Sequence, residues 1–180
     1  NQFAFDVCGY AKYTAGVTVT VSGTSVINGK VEISKSAGNT EPMKLNITGG
    51  TFNGDLKVDA SVGTENAKSI ISVSGGTFSD PSVLKYMATN ATVDIKLLSN
   101  INIAKTELAT GYILNAANAT ANLNLNGHDI INSSETADAT PFTQIFTVQN
   151  GTLNISGNGN VKCDASATAK DDGYRTVIEA

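Results

Sequence analysis

Carboxylates are the side chains of this 180-residue chain best suited to chemistry, and their spacing limits what they can do. Asp171 and Asp172, with Arg175 close behind, form the one tight group that carries both signs. A carboxylate beside a guanidinium can exchange a proton with a bound substrate, but a solvated loop is the ordinary explanation of such a group. Glycoside hydrolysis needs two carboxylates roughly 5 to 10 Å apart across a cleft. Asp94, Asp129, Asp164, Asp171 and Asp172 are the residues to test for that role, and nothing in their spacing pairs them. Asp55 and Asp59 fall in one unit of the repeat described below and Asp80 and Asp94 in the next, so no stacked acidic patch is expected.

Other reactive constellations are missing or incomplete. His128 is the single histidine, which excludes a multi-histidine metal site within these residues. In Gly127-His128-Asp129 it reads as a turn residue whose ring bonds neighbouring backbone. There is no Gly-x-Ser-x-Gly elbow, and Gly157-Asn158-Gly159 lacks the Lys-Ser/Thr and helix of a phosphate loop. Cys8 and Cys163 are too far apart in sequence for a zinc or CxxC pair and are expected to be small buried residues. A disulfide would require their strands to be adjacent. No metal and no cofactor is expected.

Charge narrows the partners. The net charge of −4 and the single arginine, Arg175, leave no basic stripe for nucleic acid. No apolar run approaches the roughly 20 residues that span a bilayer, so no membrane insertion is expected. Charged residues make up 16% of the chain, yet Val, Ile and Leu recur regularly, which a disordered chain has no use for.

That regularity defines the elements. Leu45-Asn46-Ile47-Thr48-Gly49-Gly50-Thr51-Phe52 returns as Ile71-Ser72-Val73-Ser74-Gly75-Gly76-Thr77-Phe78. Two apolar residues two apart share one strand face, a glycine permits a bend, and an apolar residue three further on points back inward. Val19, Val21, Gly23 and Val26 give an earlier copy, and Leu123, Leu125, Gly127 and Ile130 a later one. Gly23, Gly49 and Gly75 are 26 residues apart and Gly127 falls 52 further on, although no glycine marks the slot near Ile101. Leu153-Asn154-Ile155-Ser156-Gly157 is a last, weaker copy. A fixed period in this range marks a repeat architecture. Val31-Glu32-Ile33 and Leu56-Lys57-Val58 add a second short strand per unit, after Asn28-Gly29 and Asn53-Gly54. Asn-Gly is also a hairpin signal, but units that restart in phase favour parallel stacking.

The expected fold is therefore all-β, a parallel β-helix (β-solenoid) with coils of about 26 residues and one short inserted helix, for which the resemblance given below implies a right-handed coil. Residues 1–16 read as an N-terminal cap or connecting segment and 17–180 as the β-helix, with further chain expected beyond the strand that closes the sequence. The helix is placed after Ser79 or Asp80, with Pro81 at its first position and Val83, Tyr86 and Met87 on a face that covers the outside of a strand. Gly23, Gly49, Gly75, Gly127 and Gly157 are the structural turn residues. Asn122, Asn124, Asn126 and Asn154 alternate outward and are expected to stack in ladders or to meet sugar hydroxyls. An aromatic platform for sugar would come from Tyr10, Tyr13, Tyr86, Tyr112 or Tyr174. Six Asn-x-Ser/Thr sequons, at Asn46, Asn90, Asn118, Asn132, Asn150 and Asn154, are in part what chance gives in such a composition.

Three stretches carry a resemblance. Val73-Ser74-Gly75-Gly76-Thr77-Phe78-Ser79-Asp80-Pro81-Ser82, with Tyr86 behind it, resembles a motif of repetitive surface proteins of gut bacteria and of their phages. Leu123-Asn124-Leu125-Asn126-Gly127-His128-Asp129-Ile130 and Gly151-Thr152-Leu153-Asn154-Ile155-Ser156-Gly157-Asn158-Gly159 are similar to turns of right-handed parallel β-helices of the pectin-lyase-like class. The resemblance implies a non-catalytic structural and adhesive element of a phage virion (fibre, spike or capsid decoration), in contact with host surface glycans. It implies other virion or surface proteins as partners, a homotrimer, and a virion, extracellular or cell-surface location. The alternatives are a bacterial cell-surface adhesin domain and a polysaccharide lyase or glycoside hydrolase of the same fold. A lyase would hold Ca²⁺ on a carboxylate cluster and use a Lys or Arg base, and Asp171, Asp172 and Arg175 would then be its catalytic group.

Overall fold

The computed structural model describes residues 3–10, 12, 15–62, 70–103, 111–132, 144–163 and 176–179. These are mostly β-strand. Every strand pairing among them is parallel.

The first strands come in threes. β1 (Phe3–Gly9) is followed by β2 (Val17–Val21), β3 (Val26–Ile27) and β4 (Lys30–Lys35), and these by β5 (Met43–Ile47), β6 (Thr51–Phe52) and β7 (Leu56–Val58). β5 pairs with β2, β6 with β3 and β7 with β4, so the chain visits three sheets and returns to the first. β1 joins the sheet of β4 and β7. A further set opens with β8 (Ile71–Val73) on β5 and β9 (Thr77–Phe78) on β6. The sequence repeat is thus realised in register: Leu45 partners Ile71, Ile47 partners Val73 and Phe52 partners Phe78. Neither Asn-Gly pair makes a hairpin. Asn53 instead lies over Asn28, its side-chain amide donating to Asn28 Oδ1 at 2.9 Å.

The segment after Ser79 is a 3₁₀ helix, Pro81–Tyr86, and here the period breaks. Asp80 caps it by accepting from the Ser82 N–H at 2.7 Å, and Pro81 fills the first turn, where a missing N–H costs nothing. Instead of covering the outside of a strand, Val83, Leu84 and Tyr86 are buried in the common core. With the helix in place of a third strand, the chain is beside Val73 again by Met87, which forms a parallel bridge to it. β10 (Thr92–Lys96) then pairs with β9 through Asp94 and Thr77, a step of 17 residues after steps of 25 and 26. This shortened step is why no glycine stands near Ile101.

The remaining strands are β11 (Ile101–Ile103), β12 (Tyr112–Asn124), β13 (Ile130–Asn132), β14 (Gln144–Ser156), β15 (Val161–Cys163) and β16 (Thr176–Glu179). One long sheet runs β3-β6-β9-β10-β12-β14-β16, and β11-β13-β15 form another. Steps lengthen to 28 residues from Asp94 to Asn122 and 32 from Asn122 to Asn154. Gly127 consequently sits at a different corner from Gly23, Gly49 and Gly75: it lies between β12 and β13, its N–H donating to the Asn158 carbonyl at 2.6 Å.

Inside the long sheet, Phe52, Phe78, Ile95 and Leu123 form one buried column. Each such side chain contributes about 1.5 to 3 kcal/mol by leaving water. The Phe52 and Phe78 rings stack at 5.0 Å and 11°. Two expectations about the first layer are corrected. Val26 faces solvent and Ile27 takes the inward place opposite Phe52, because the corner from Gly23 is one residue longer than that from Gly49. Cys8 is exposed rather than buried, since the alternation of β1 turns Val7 and Gly9 inward. β1 and β15, which carry the two cysteines, belong to different sheets.

Candidate functional site

Among the described residues, the outer face of β10, β12 and β14 gathers polar groups in a regular array. Val93, Ile95, Ala121 and Leu123 point into the core, so their neighbours point out. Parallel register aligns Thr92 with Thr120 and Thr152, Asp94 with Asn122 and Asn154, and Lys96 with Asn124 and Ser156. Rows are set about 4.8 Å apart across strands and about 6.6 Å apart along them by strand geometry. The central row is bonded throughout: Asn154 Nδ2 donates to Asn122 Oδ1 at 2.9 Å, and Asn122 Nδ2 donates to Asp94 Oδ1 at 3.0 Å. A primary amide has two N–H donors and a two-lone-pair oxygen, so each Asn retains donor and acceptor capacity for a ligand.

A second polar row runs along the next corner. The Asp129 N–H donates to Asn100 Oδ1 at 3.0 Å, and Asp129 Oδ1 accepts from the Asn160 backbone at 2.8 Å and side chain at 2.9 Å. Lys162 Nζ stands 3.6 Å from Asp129 Oδ2. These donors, the Asn160 side chain foremost, hold the Asp129 carboxyl below its ordinary range.

Several other carboxylates among the described residues serve the framework. Asp6 accepts from Ser34 Oγ at 2.8 Å, Glu32 meets Lys57 at 3.3 Å and Asp55 meets Lys30 at 2.8 Å. Asp59 accepts from the Ser61 N–H at 2.9 Å, and the Ser61 side chain foremost, with that N–H, lowers its pKa. One stacked acidic pair does exist, against expectation: Asp6 and Glu32 are partners on β1 and β4. It escaped the repeat because residues 1–16 show little periodicity, and Lys57 continues the same row with the opposite charge. Among the described residues no three His, Cys, Asp or Glu side chains are placed to share a metal ion.

The remaining candidates disperse. Asp94 and Asp129 fall in separate rows, while Asp164, Asp171, Asp172 and Arg175 lie outside the described residues. His128 closes a turn with its backbone, donating to the Leu125 carbonyl at 2.8 Å. A Cβ on Gly49 would meet Gly23 N and O at 3.0 Å, one on Gly75 would meet Thr48 O at 2.9 Å, and one on Gly157 would overlap Asn124 Oδ1. Gly23 faces open space. Asn126 leaves the outward row, turning back at φ 51° to donate to the Leu97 carbonyl at 2.9 Å. Tyr86 and Tyr112 are buried, Tyr10 is exposed after β1, and Tyr13 and Tyr174 lie outside the described residues.

A second repeat underlies the polar face and is readable only once the frame is known. In sequence, Asn90-Ala91-Thr92-Val93-Asp94-Ile95-Lys96 matches Asn118-Ala119-Thr120-Ala121-Asn122-Leu123-Asn124 and Asn150-Gly151-Thr152-Leu153-Asn154-Ile155-Ser156, and the strand register aligns the three from Thr92, Thr120 and Thr152 onward while Asn150 partners Asn115. Asn90 and Asn118 adopt φ 60° and 56°, and Asn118 Nδ2 donates to Asn90 Oδ1 at 3.2 Å. Their recurrence as sequons marks a left-handed corner, which Asn tolerates better than most residues. The chain matches no protein-family model, no curated protein and no solved structure.

Proposed function

We propose that the chain is a right-handed parallel β-helix that acts as a non-catalytic structural and adhesive element of a phage virion, as fibre, spike or capsid decoration, and that the Thr/Asn face of β10, β12 and β14 contacts host surface glycans. The observation that carries this reading is the use of seven of the carboxylates among the described residues: Asp6, Glu32, Asp55, Asp94 and Asp129 tie neighbouring strands together, and Asp59 and Asp80 close turns. Asp94 is the one carboxylate in the three polar rows, whereas hydrolysis by the usual route needs two. The order in which the chain visits its sheets supports the β-helix, and the motif around Gly75 supports the virion setting. Other virion proteins would be its partners, and a homotrimer its symmetry.

Imaging of phage particles with an antibody against residues 17–180, together with binding to an array of bacterial surface glycans, tests the reading. Label on particle projections and glycan binding lost in Thr120→Lys are expected. Label confined to the bacterial envelope would reassign the chain to a cell-surface adhesin. Release of reducing or unsaturated sugar ends, abolished in Asp171→Asn or Asp172→Asn, would make it a depolymerase.

A further inference from the structure

We infer that Asn28 is a site of self-modification: the Gly29 nitrogen closes on the Asn28 side-chain carbonyl, which the Asn53 amide polarises, and the corner acquires an aspartyl or isoaspartyl residue. The inference stands apart from the glycan contact proposed above.

Five Asn-Gly pairs occur, at Asn28, Asn53, Asn126, Asn150 and Asn158. In each, the glycine has no side chain to shield its nitrogen from the preceding carboxamide. The fold separates them. Asn126 is held twice, since its amide donates to the Leu97 carbonyl at 2.9 Å and the Gly127 N–H to the Asn158 carbonyl at 2.6 Å. Asn150 and Gly151 lie within β14, where Asn150 partners Asn115. Asn53 has its own side-chain N–H committed to Asn28. Among the described residues, Asn28 is the one member of the five whose side-chain oxygen accepts a side-chain hydrogen bond, from Asn53 Nδ2 at 2.9 Å. Among the same residues the Gly29 N–H donates to no backbone acceptor. The Gly54 N–H, at the equivalent corner one layer in, donates to none either, although β6 is paired on both sides. The unbonded N–H therefore belongs to the corner itself rather than to its place in the first layer.

These contacts assemble the parts of an acyl transfer. Once hydroxide removes the Gly29 amide proton, the nitrogen adds to Asn28 Cγ and negative charge develops on Oδ1. Asn53 Nδ2 already stands there, within the range of about 2.7 to 3.1 Å that suits an oxyanion donor. The adduct collapses by breaking the Cγ–Nδ2 bond, and the amide nitrogen takes a proton from water and leaves as ammonia. The product is a five-membered imide. Water then opens it at Cγ to give aspartate, or at the backbone carbonyl carbon to give isoaspartate. In sum one water replaces one ammonia, and the corner gains one negative charge beside the Lys30–Asp55 ion pair. Isoaspartate also routes the main chain through Cγ just before β4. Because water is the only co-reactant, the extent of conversion grows with the age of the folded molecule.

The test incubates the full chain in mildly alkaline buffer made with heavy-oxygen water. Each Asn-Gly peptide is then mapped by mass spectrometry, and isoaspartate is tagged with an isoaspartyl methyltransferase. Label is expected at position 28 before any of the other four. Asn53→Ala removes the donor, and Asn53→Asp keeps its shape without the N–H. Either should slow conversion at Asn28 by at least about fivefold, the factor that one hydrogen bond of ordinary net strength gives, while Asn158 in the same molecules keeps its rate. A variant that merely loosened the fold would speed both. Label that appears first at another pair overturns the inference, as does an unchanged or raised rate at Asn28 in a folded variant. Should circular dichroism find both variants unfolded, the wild type in urea decides: the lead of Asn28 over Asn158 should disappear there, and a lead that persists overturns the role of Asn53.

Discussion

Asn122 donates its side-chain amide to Asp94 across one strand boundary and accepts from Asn154 across the next. One residue thus clamps three consecutive strands of the long sheet from the outside. Each such bond is worth about 1 kcal/mol net, so Asn122→Ala is expected to cost about 2 kcal/mol in urea unfolding. Asn122→Asp should cost more at pH 7, where it faces Asp94 as a like charge.

Asp129 gives the acid limb of stability. Asn160 and Lys162 lower its folded pKa below that of the unfolded chain. Its stabilisation is therefore complete above the unfolded value near 3.9 and is lost as pH falls through the lowered folded value. Asp129→Asn should melt below wild type at pH 7, and the two melting curves should converge as the pH drops under 4. A constant difference at all pH values would assign the effect to packing instead.

Tyr86 is buried with no hydrogen-bond partner for its hydroxyl. An unmet buried donor costs about 1 to 3 kcal/mol, so Tyr86→Phe should raise the midpoint of unfolding. A lowered midpoint would reveal a bound water at that oxygen. Burial also pushes the phenol up to about 12. Its contribution is present below the ordinary value near 10 and is lost as pH rises from 10 toward 12, a loss that Tyr86→Phe should abolish in alkaline denaturation.

Glycines that share positive φ should differ in what they tolerate. Gly23, at φ 65°, has no atom within 4 Å of a Cβ, and Asn90 and Asn118 hold similar angles. Gly23→Asn should therefore change stability by less than about 1 kcal/mol. Gly151, at φ 109°, would set a Cβ 2.9 Å from the Ala116 carbonyl oxygen and 3.1 Å from that of Ala119. Gly151→Ala is expected to cost more than about 2 kcal/mol in the same assay, from strain and collision together.

Parallel pairing and the register of the second and third layers were legible because Leu45/Ile71, Ile47/Val73 and Phe52/Phe78 repeat apolar residues at constant spacing, whereas in the first layer the longer corner after Gly23 displaces Val26 in favour of Ile27. The later layers were not, because the 3₁₀ helix shortens one step and the following loops lengthen the others. Gly127 fell on a multiple of 26 by accident, while the true successors of the Gly75 corner, Asn90 and Asn118, carry no glycine at all. Outward Asn122 and Asn154 could be read from alternation, and so could the ladder they form. Asp94 in that ladder could not, since its alignment with Asn122 depends on a step length that only the fold reveals.

The 3₁₀ helix also divides the molecule energetically. The sheets β1-β4-β7 and β2-β5-β8 lie wholly before it and β11-β13-β15 wholly after it. Across the boundary β9 and β10 share only the Asp94/Thr77 and Ile95/Phe78 pairs, beside the lone Val73/Met87 bridge and the packing of the helix on β12. In a chain whose layers couple mainly to their neighbours, the thinnest junction sets where cooperativity fails. Among the described residues this junction carries the fewest strand pairs, and the amides of β4 to β7 and of β12 to β15 are expected to exchange with solvent as separate populations in a hydrogen-exchange experiment.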